Sequence, residues 1–130
     1  MISILAVAAG SALGGILRYW VDTRVSRRLG TGFPWGTLLV NASGALVAGA
    51  IAAWLAGPGG GFTSAPALLV IGLCGSYTTV SSFSLQTVSL ALQGRLSWAL
   101  YYVLASLFIC LLGAWSGFTA ISALGGGTPP

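Results

Sequence analysis

Four long apolar segments dominate this sequence and restrict what it can fold into. They cover about residues 2–21, 35–56, 67–92 and 97–120, and each is long enough to cross a bilayer as a helix. Only 5% of the chain is charged, against 56% hydrophobic, whereas roughly a quarter of a soluble domain is charged. The sequence therefore predicts one all-α membrane domain of four transmembrane helices, with a flexible tail at 121–130.

The third segment contains a stretch that does not suit a plain membrane helix. Residues 72–84 read GLCGSYTTVSSFS, which places two glycines and a run of hydroxyl side chains in mid-segment. Non-helical backbone at membrane depth is tolerated only where it is buried in protein or lines a wet cavity. We therefore expect the third helix to be broken near its middle, with the other segments as its housing.

The few charged side chains exclude several classes of function. The chain has no His, Lys or Glu; its charges are Asp22 and five arginines, Arg18, Arg24, Arg27, Arg28 and Arg95. Without His or Glu it offers no metal cluster and no pair of nucleophile and base, so we expect no enzyme. The arginines form no continuous basic stripe, which argues against nucleic acid. Proton-coupled or cation transport would normally require a carboxylate within a span, and the sequence places none there.

Neutral hydrogen-bond donors surround the expected break and favour an anion. Exposed carbonyls of a broken helix would instead favour a cation held at the break. From its own segment, Asn41 is equally well explained as a hydrogen-bonding residue between two helices and as a residue that contacts a ligand. The candidate permeation path comprises the side chains of Asn41, Thr79, Ser81, Phe83, Ser84, Tyr102 and Ser106.

Three smaller features complete the pattern. Ala6, Gly10 and Gly14 recur every four residues, a ridge that favours close helix packing. Cys74 and Cys110 both fall in apolar segments and are expected to be free thiols. Arg18, near the end of the first segment, is either a headgroup anchor or a charge at a pore mouth.

Three motifs in order give the chain a family resemblance. They are GGILRY at 14–19, PWGTLLVN at 34–41 and the stretch at 72–84. With them the sequence resembles the Fluc (CrcB) family of fluoride channels, small four-helix membrane proteins that work as antiparallel dimers. The resemblance implies a fluoride-specific channel of the cell membrane that exports F⁻ passively and so relieves fluoride toxicity.

The resemblance also implies roles for individual residues. The backbone carbonyls of Gly75 and Thr78 would hold a structural Na⁺ that is not transported, at the centre of the dimer. Arg18 would sit near a vestibule. The fluoride pore would be lined by Asn41, Thr79, Phe83, Ser84, Tyr102 and Ser106.

Two departures from the family pattern bear on the assembly. Val80 stands where the family usually has a second Phe, and Gln86 where it often has an acidic residue. All charged side chains outside the spans fall in loops on one side, and arginine excess marks the cytoplasmic face. We therefore predict both termini outside. Because this bias opposes insertion in both orientations, a heterodimer with a paralog is favoured over a homodimer.

Two alternatives to a conducting channel stay open. Val80 offers no ring edge, which allows a non-conducting or partial subunit of a heterodimeric channel. The second alternative is a membrane transporter for a small solute, which a carboxylate within a span would favour.

Overall fold

The computed structural model describes residues 2–57 and 65–124. Within these residues the chain forms no strand and five helices: α1 (Ile2–Leu29), α2 (Trp35–Ala56), α3 (Ala65–Tyr77), α4 (Val80–Leu92) and α5 (Leu96–Leu124). Helices α3 and α4 together make one apolar span, Ala67–Leu92, so the described residues contain four spans long and apolar enough to cross a membrane. The prediction of an all-α protein with four spans and a broken third helix is confirmed.

Helix α1 is longer than the sequence pattern predicted. We expected it to end near residue 21, before a polar loop over 22–34, but it continues to Leu29. Residues 22–29 contain neither Gly nor Pro, and two arginines in the last turn interact favourably with the helix dipole. The helix ends before Gly30, whose φ of 84° is typical of a C-terminal glycine. The polar residues after Val21 therefore do not end the helix.

Helix α5 also exceeds its predicted range of 97–120, since it runs from Leu96 to Leu124. The start of the predicted tail is therefore helical, because neither Gly nor Pro occurs between 121 and 124. The rest of that tail, 125–130, lies outside the described residues, as does 58–64 in the second loop.

Two seams of small residues hold the described helices together. Helix α1 packs mainly on α3, and α2 mainly on α5. In the first seam a Cβ on Gly10 would collide with the Leu69 carbonyl, and one on Gly14 with the Leu73 carbonyl. In the second seam a Cβ on Gly49 would collide with the backbone of α5. Small residues allow this close approach in membranes, so the predicted packing role of Gly10 and Gly14 is confirmed.

The start of α2 is held against α1 by Asp22. Its carboxylate occupies the space that a Cβ on Gly36 would need, and it accepts a hydrogen bond from the Thr37 hydroxyl at 3.4 Å. The N-cap residue of α2, Pro34, provides no side-chain cap. A carboxylate beside a helix N-terminus is stabilised by the helix dipole. Asp22 therefore places a carboxylate from a neighbouring helix beside the start of α2.

The large buried side chains of the described residues cluster at this same end of the bundle. The Phe33 ring is 5% exposed and lies 5.5 Å from the Tyr102 ring and 5.8 Å from the Trp98 ring, between centroids. Arg95 donates to the Gly32 carbonyl at 2.6 Å and stacks over Trp98. The rest of the bundle relies on the two glycine seams, which leaves room for a groove beside the helix break.

Candidate ion pathway

The helix break is built from Thr78 and Thr79, which lie between α3 and α4. Thr79 is extended, with φ −150° and ψ 120°, and its hydroxyl accepts a hydrogen bond from the Ser82 backbone N–H at 3.2 Å. This is the N-cap arrangement that Thr favours, because a hydroxyl satisfies an amide with no partner in the helix. The composition of 72–84 therefore predicted the position of the break, and its cause is a local cap.

Asn41 of α2 holds the break through both ends of its side-chain amide. Its Nδ2 donates to the Thr79 carbonyl at 2.9 Å, and its Oδ1 accepts from the Thr79 N–H at 2.8 Å. One partner is a donor and the other an acceptor, so this pairing fixes the orientation of the amide. Asn41 thus joins two helices. Its second Nδ2 hydrogen has no partner among the described residues and stays available for a ligand.

The break leaves the carbonyls of residues 75–78 without backbone donors, as at any helix end, and two of them belong to the predicted cation site. In a continuous helix the N–H of each residue donates to the carbonyl four residues earlier, as Thr78 still does to Cys74 at 3.2 Å. Among the described residues no backbone amide donates to the carbonyl of Gly75 or of Thr78. These are oxygen ligands of the kind that hard cations prefer.

A groove of about 810 Å³ runs along one side of the break. Most of its wall is apolar, contributed by α2, α3 and α5, and its outer side is open in the single subunit. Predicted site residues form its polar part: the groove is lined by Asn41, Gly75, Thr78, Thr79, Phe83 and Ser106. The structure therefore brings six of the ten predicted site residues to one surface.

Ser106 has the most unusual environment in this groove. It is 7% exposed, and its Oγ has no hydrogen-bond partner among the described residues. A buried hydroxyl without a partner costs about 1–3 kcal/mol. The groove therefore contains a donor that the subunit itself does not use.

Tyr102 lies behind the groove instead of lining it. Its side chain is fully buried, its hydroxyl donates to Gln86 Oε1 at 3.0 Å, and its ring packs 5.1 Å from the Phe83 ring. Gln86 in turn borders a second, smaller cavity of about 190 Å³ near the first loop. We did not predict the Tyr102–Gln86 bond; the need of a buried tyrosine hydroxyl for a partner was the available signal.

One known protein family matches nearly all of this chain. The model of the family described as "CrcB-like protein, Camphor Resistance (CrcB)" matches residues 5–118. The chain belongs to the CrcB family. Its relatives include proteins named "Fluoride-specific ion channel FluC" and "Fluoride-specific ion channel FluC 2".

Three of these relatives match over most of both chains. The FluC of Rhodospirillum rubrum is 48% identical, over 87% of this chain and 89% of its own. The FluC 2 of Rhodopseudomonas palustris is 47% identical, over 93% and 94%. The FluC 2 of Bradyrhizobium diazoefficiens is 45% identical, over 95% and 91%. With four spans, this CrcB protein is a multi-pass membrane protein, and family membership confirms that it is not an enzyme.

The remaining predicted residues of this CrcB protein lie away from the groove lining. Ser81 and Ser84 are exposed on α4, and Arg18 is half-buried on α1; none of the three lines the groove. Their predicted roles, contact with fluoride for Ser84 and a vestibule position for Arg18, stay predictions. Val80 does line the groove and is 77% exposed, so the position of the usual family Phe is open here.

The two cysteines of this CrcB protein are free thiols, as predicted. Both line the groove, and Cys74 donates from Sγ to the Gly44 carbonyl at 3.4 Å. The described residues contain no group of three His, Cys, Asp or Glu side chains that could hold a metal ion. A cation at the break would therefore be bound through carbonyl oxygens.

Proposed function

We propose that this CrcB-family chain is a subunit of a fluoride channel that lets F⁻ leave the cell passively. Relatives with 45–48% identity carry the name "Fluoride-specific ion channel". The observation that carries the proposal is the groove, where hydrogen-bond donors unused by the subunit lie beside the helix break. A path for an anion requires a lining without carboxylates, and no carboxylate lines this groove.

The chemistry of fluoride fits this set of donors. An ion enters a narrow path only where ligands replace its hydration shell, and fluoride is small and strongly hydrated. The free donors are the second Nδ2 hydrogen of Asn41 and the hydroxyl of Ser106, with the positive ring edge of Phe83 beside them. The hydroxyls of Thr79 and Tyr102 already donate within the subunit, so these residues support the wall of the path.

The open side of the groove supports a dimer. Gly75 lines the groove, and a Cβ added to it would meet nothing within 4 Å. Its lack of a side chain therefore serves no packing inside the subunit. We assign that space to a second subunit in antiparallel orientation, whose break would meet this one and close the pore.

The partner is proposed to be an oppositely oriented paralog, with a homodimer as the competing arrangement. Arg27 and Arg28 lie at one end of α1, and Arg95 lies in the turn before α5 at the same side. Such a bias favours a single orientation, with both termini outside. Accessibility of tags on the two termini in intact cells tests this: an even mixture of orientations would contradict the heterodimer.

The break fits a structural Na⁺. The carbonyls of Gly75 and Thr78 have no amide donors, and both residues border the open groove. In an antiparallel dimer two such pairs would face each other and hold the ion. Bound there, Na⁺ would supply a fixed positive charge at the subunit contact, while Asn41 and Ser106 would bind the anion.

A non-conducting subunit is the alternative that one observation favours. Val80 occupies the groove wall with no aromatic edge, so an aromatic path from this chain alone has one ring, Phe83. In that case conduction would need a paralog that contributes further rings.

Fluoride efflux from proteoliposomes tests the proposal. The purified chain is reconstituted alone and together with a candidate paralog, and efflux of F⁻ is compared with that of Cl⁻. We expect F⁻ efflux with little Cl⁻ efflux in at least one preparation. Efflux only in the mixed preparation would favour the heterodimer over the homodimer, and efflux no faster than from empty liposomes in both would refute the channel.

A further inference from the structure

Two of the backbone amides at the break donate to side-chain oxygens instead of to helical carbonyls. The Thr78 N–H makes the regular helical bond to the Cys74 carbonyl at 3.2 Å. The next amide, that of Thr79, goes to Asn41 Oδ1 at 2.8 Å instead. The amide of Ser82 goes to the Thr79 hydroxyl oxygen at 3.2 Å.

These two amides have specific partners in an unbroken helix. By the four-residue rule the Thr79 N–H would donate to the carbonyl of Gly75, and the Ser82 N–H to that of Thr78. Both carbonyls therefore lose their donor to a side-chain oxygen. They are also the two carbonyls to which the proposed function assigns the cation.

We infer that Asn41 and Thr79 are positioning residues for the cation, because they keep the Gly75 and Thr78 carbonyls free of backbone amides. The inference rests on the proposed function for the identity of the ion, Na⁺. It gives Asn41 a second role: one end of its side-chain amide maintains the cation site, while its free Nδ2 hydrogen is available to the anion.

The surroundings of the break indicate that these side-chain acceptors are needed to keep the helix from closing. An unpaired amide in a membrane is costly, so a segment at this depth closes into a helix unless other acceptors are supplied. Thr79 is only 7% exposed, which limits water as a substitute acceptor. Asn41 also donates to the Thr79 carbonyl at 2.9 Å, so it holds the whole residue in its extended conformation.

Replacing the two acceptors by apolar groups of similar size tests the inference. The variants are Asn41→Leu and Thr79→Val, with Thr79→Ser as the conservative variant that restores a hydroxyl. Thr119→Val is the matched control, since its hydroxyl bonds within α5 at 2.9 Å to the Trp115 carbonyl. Each protein, purified alone and together with the candidate paralog, is heated in N-methylglucamine buffer with increasing Na⁺. The Na⁺ concentration for half-maximal stabilisation is read from Tm.

In Asn41→Leu and Thr79→Val we expect this Na⁺ concentration to rise roughly 5- to 30-fold, because a re-formed backbone bond competes with the ion at one carbonyl. Thr79→Ser and Thr119→Val should keep the original value. Circular dichroism checks folding, and if Asn41→Leu does not fold, the Val and Ser variants of Thr79 decide alone.

An unchanged Na⁺ dependence in folded Asn41→Leu and Thr79→Val would overturn the inference, as would a Tm that does not respond to Na⁺ either alone or with the paralog. Fluoride efflux measured on the same unmodified preparation reports on the proposed function separately. Efflux with unaltered Na⁺ dependence in the variants would leave the channel standing and remove this role. A lack of efflux would count against the channel only.

Discussion

The helix seams and the groove use the same residue types in opposite ways. At the seams, a Cβ on Gly49 or Gly117 would collide with a neighbouring backbone, so packing within the subunit explains each glycine. At the groove, Gly75 has empty space beside it. Packing within the chain therefore does not explain Gly75, and the proposed function assigns this space to a second subunit.

Hydroxyl groups show the same contrast. Ser116 and Thr119 on α5 donate to carbonyls of their own helix, at 2.6 and 2.9 Å, which is ordinary for serine and threonine in membrane helices. Ser106, on the same helix, has no partner among the described residues although it is nearly buried. The hydroxyls of Ser116 and Thr119 are thus hydrogen-bonded within their own helix, whereas that of Ser106 is available to a ligand.

The largest effect is expected at a seam. Gly49→Leu would force a side chain into the backbone of α5, and overpacking of this kind destabilises by about 3 kcal/mol or more. We expect a large loss of folded protein, measured by thermal unfolding in detergent. A Gly49→Leu protein that unfolds like the original would mean that the seam is looser than the structure indicates.

The next effect contrasts Ser106 with Thr119. A hydrogen bond to a charged group contributes about 1.5–3 kcal/mol, so Ser106→Ala should lower fluoride efflux by at least about tenfold. Its unfolding temperature should change little, because the hydroxyl has no partner to lose. Thr119→Val serves as the control and should keep normal efflux; equal efflux in both variants would remove Ser106 from the path.

Gly75→Ala should separate folding from assembly. The added methyl meets nothing within the subunit, and Ala favours a helix by about 1 kcal/mol over Gly, so the subunit should fold as well as before. In a dimer closed at this surface the methyl would be overpacked by about 1–3 kcal/mol. Analytical ultracentrifugation should show a dimer weakened by at least about fivefold; an unchanged dimer would place the contact elsewhere.

The fold was largely predictable because its signals are local. Long apolar segments gave the four spans, and the glycines and hydroxyl groups at 72–84 gave the break. The helix α1 extends beyond the predicted end near residue 21, since the polar side chain of Asp22 does not stop a helix and residues 22–29 contain neither Gly nor Pro. The polarity of a segment therefore does not by itself predict where a helix ends.

The geometry of the site was less predictable because its bonds join distant parts of the chain. Asn41 meets Thr79, and Tyr102 meets Gln86, and no local pattern selects these partners. The sequence left Asn41 open between joining helices and binding a ligand; the structure shows the first and leaves a hydrogen for the second. Ser84 lies outside the groove lining, and its contact with fluoride stays a prediction.

The smallest expected effect concerns Val80, at the open edge of the groove. It lies one helical turn before Phe83 and is 77% exposed, so Val80→Phe adds a ring without disturbing the packing of the subunit. An aromatic contact contributes about 0.5–1.5 kcal/mol, which corresponds to a roughly two- to tenfold rise in fluoride efflux if this chain lacks a ring that its pore needs. The matched control is Leu104→Phe on α5, also exposed but outside the groove lining, which should leave efflux unchanged. If Val80→Phe leaves efflux unchanged while the chain conducts alone, one ring per subunit suffices, and the partial-subunit alternative loses its support.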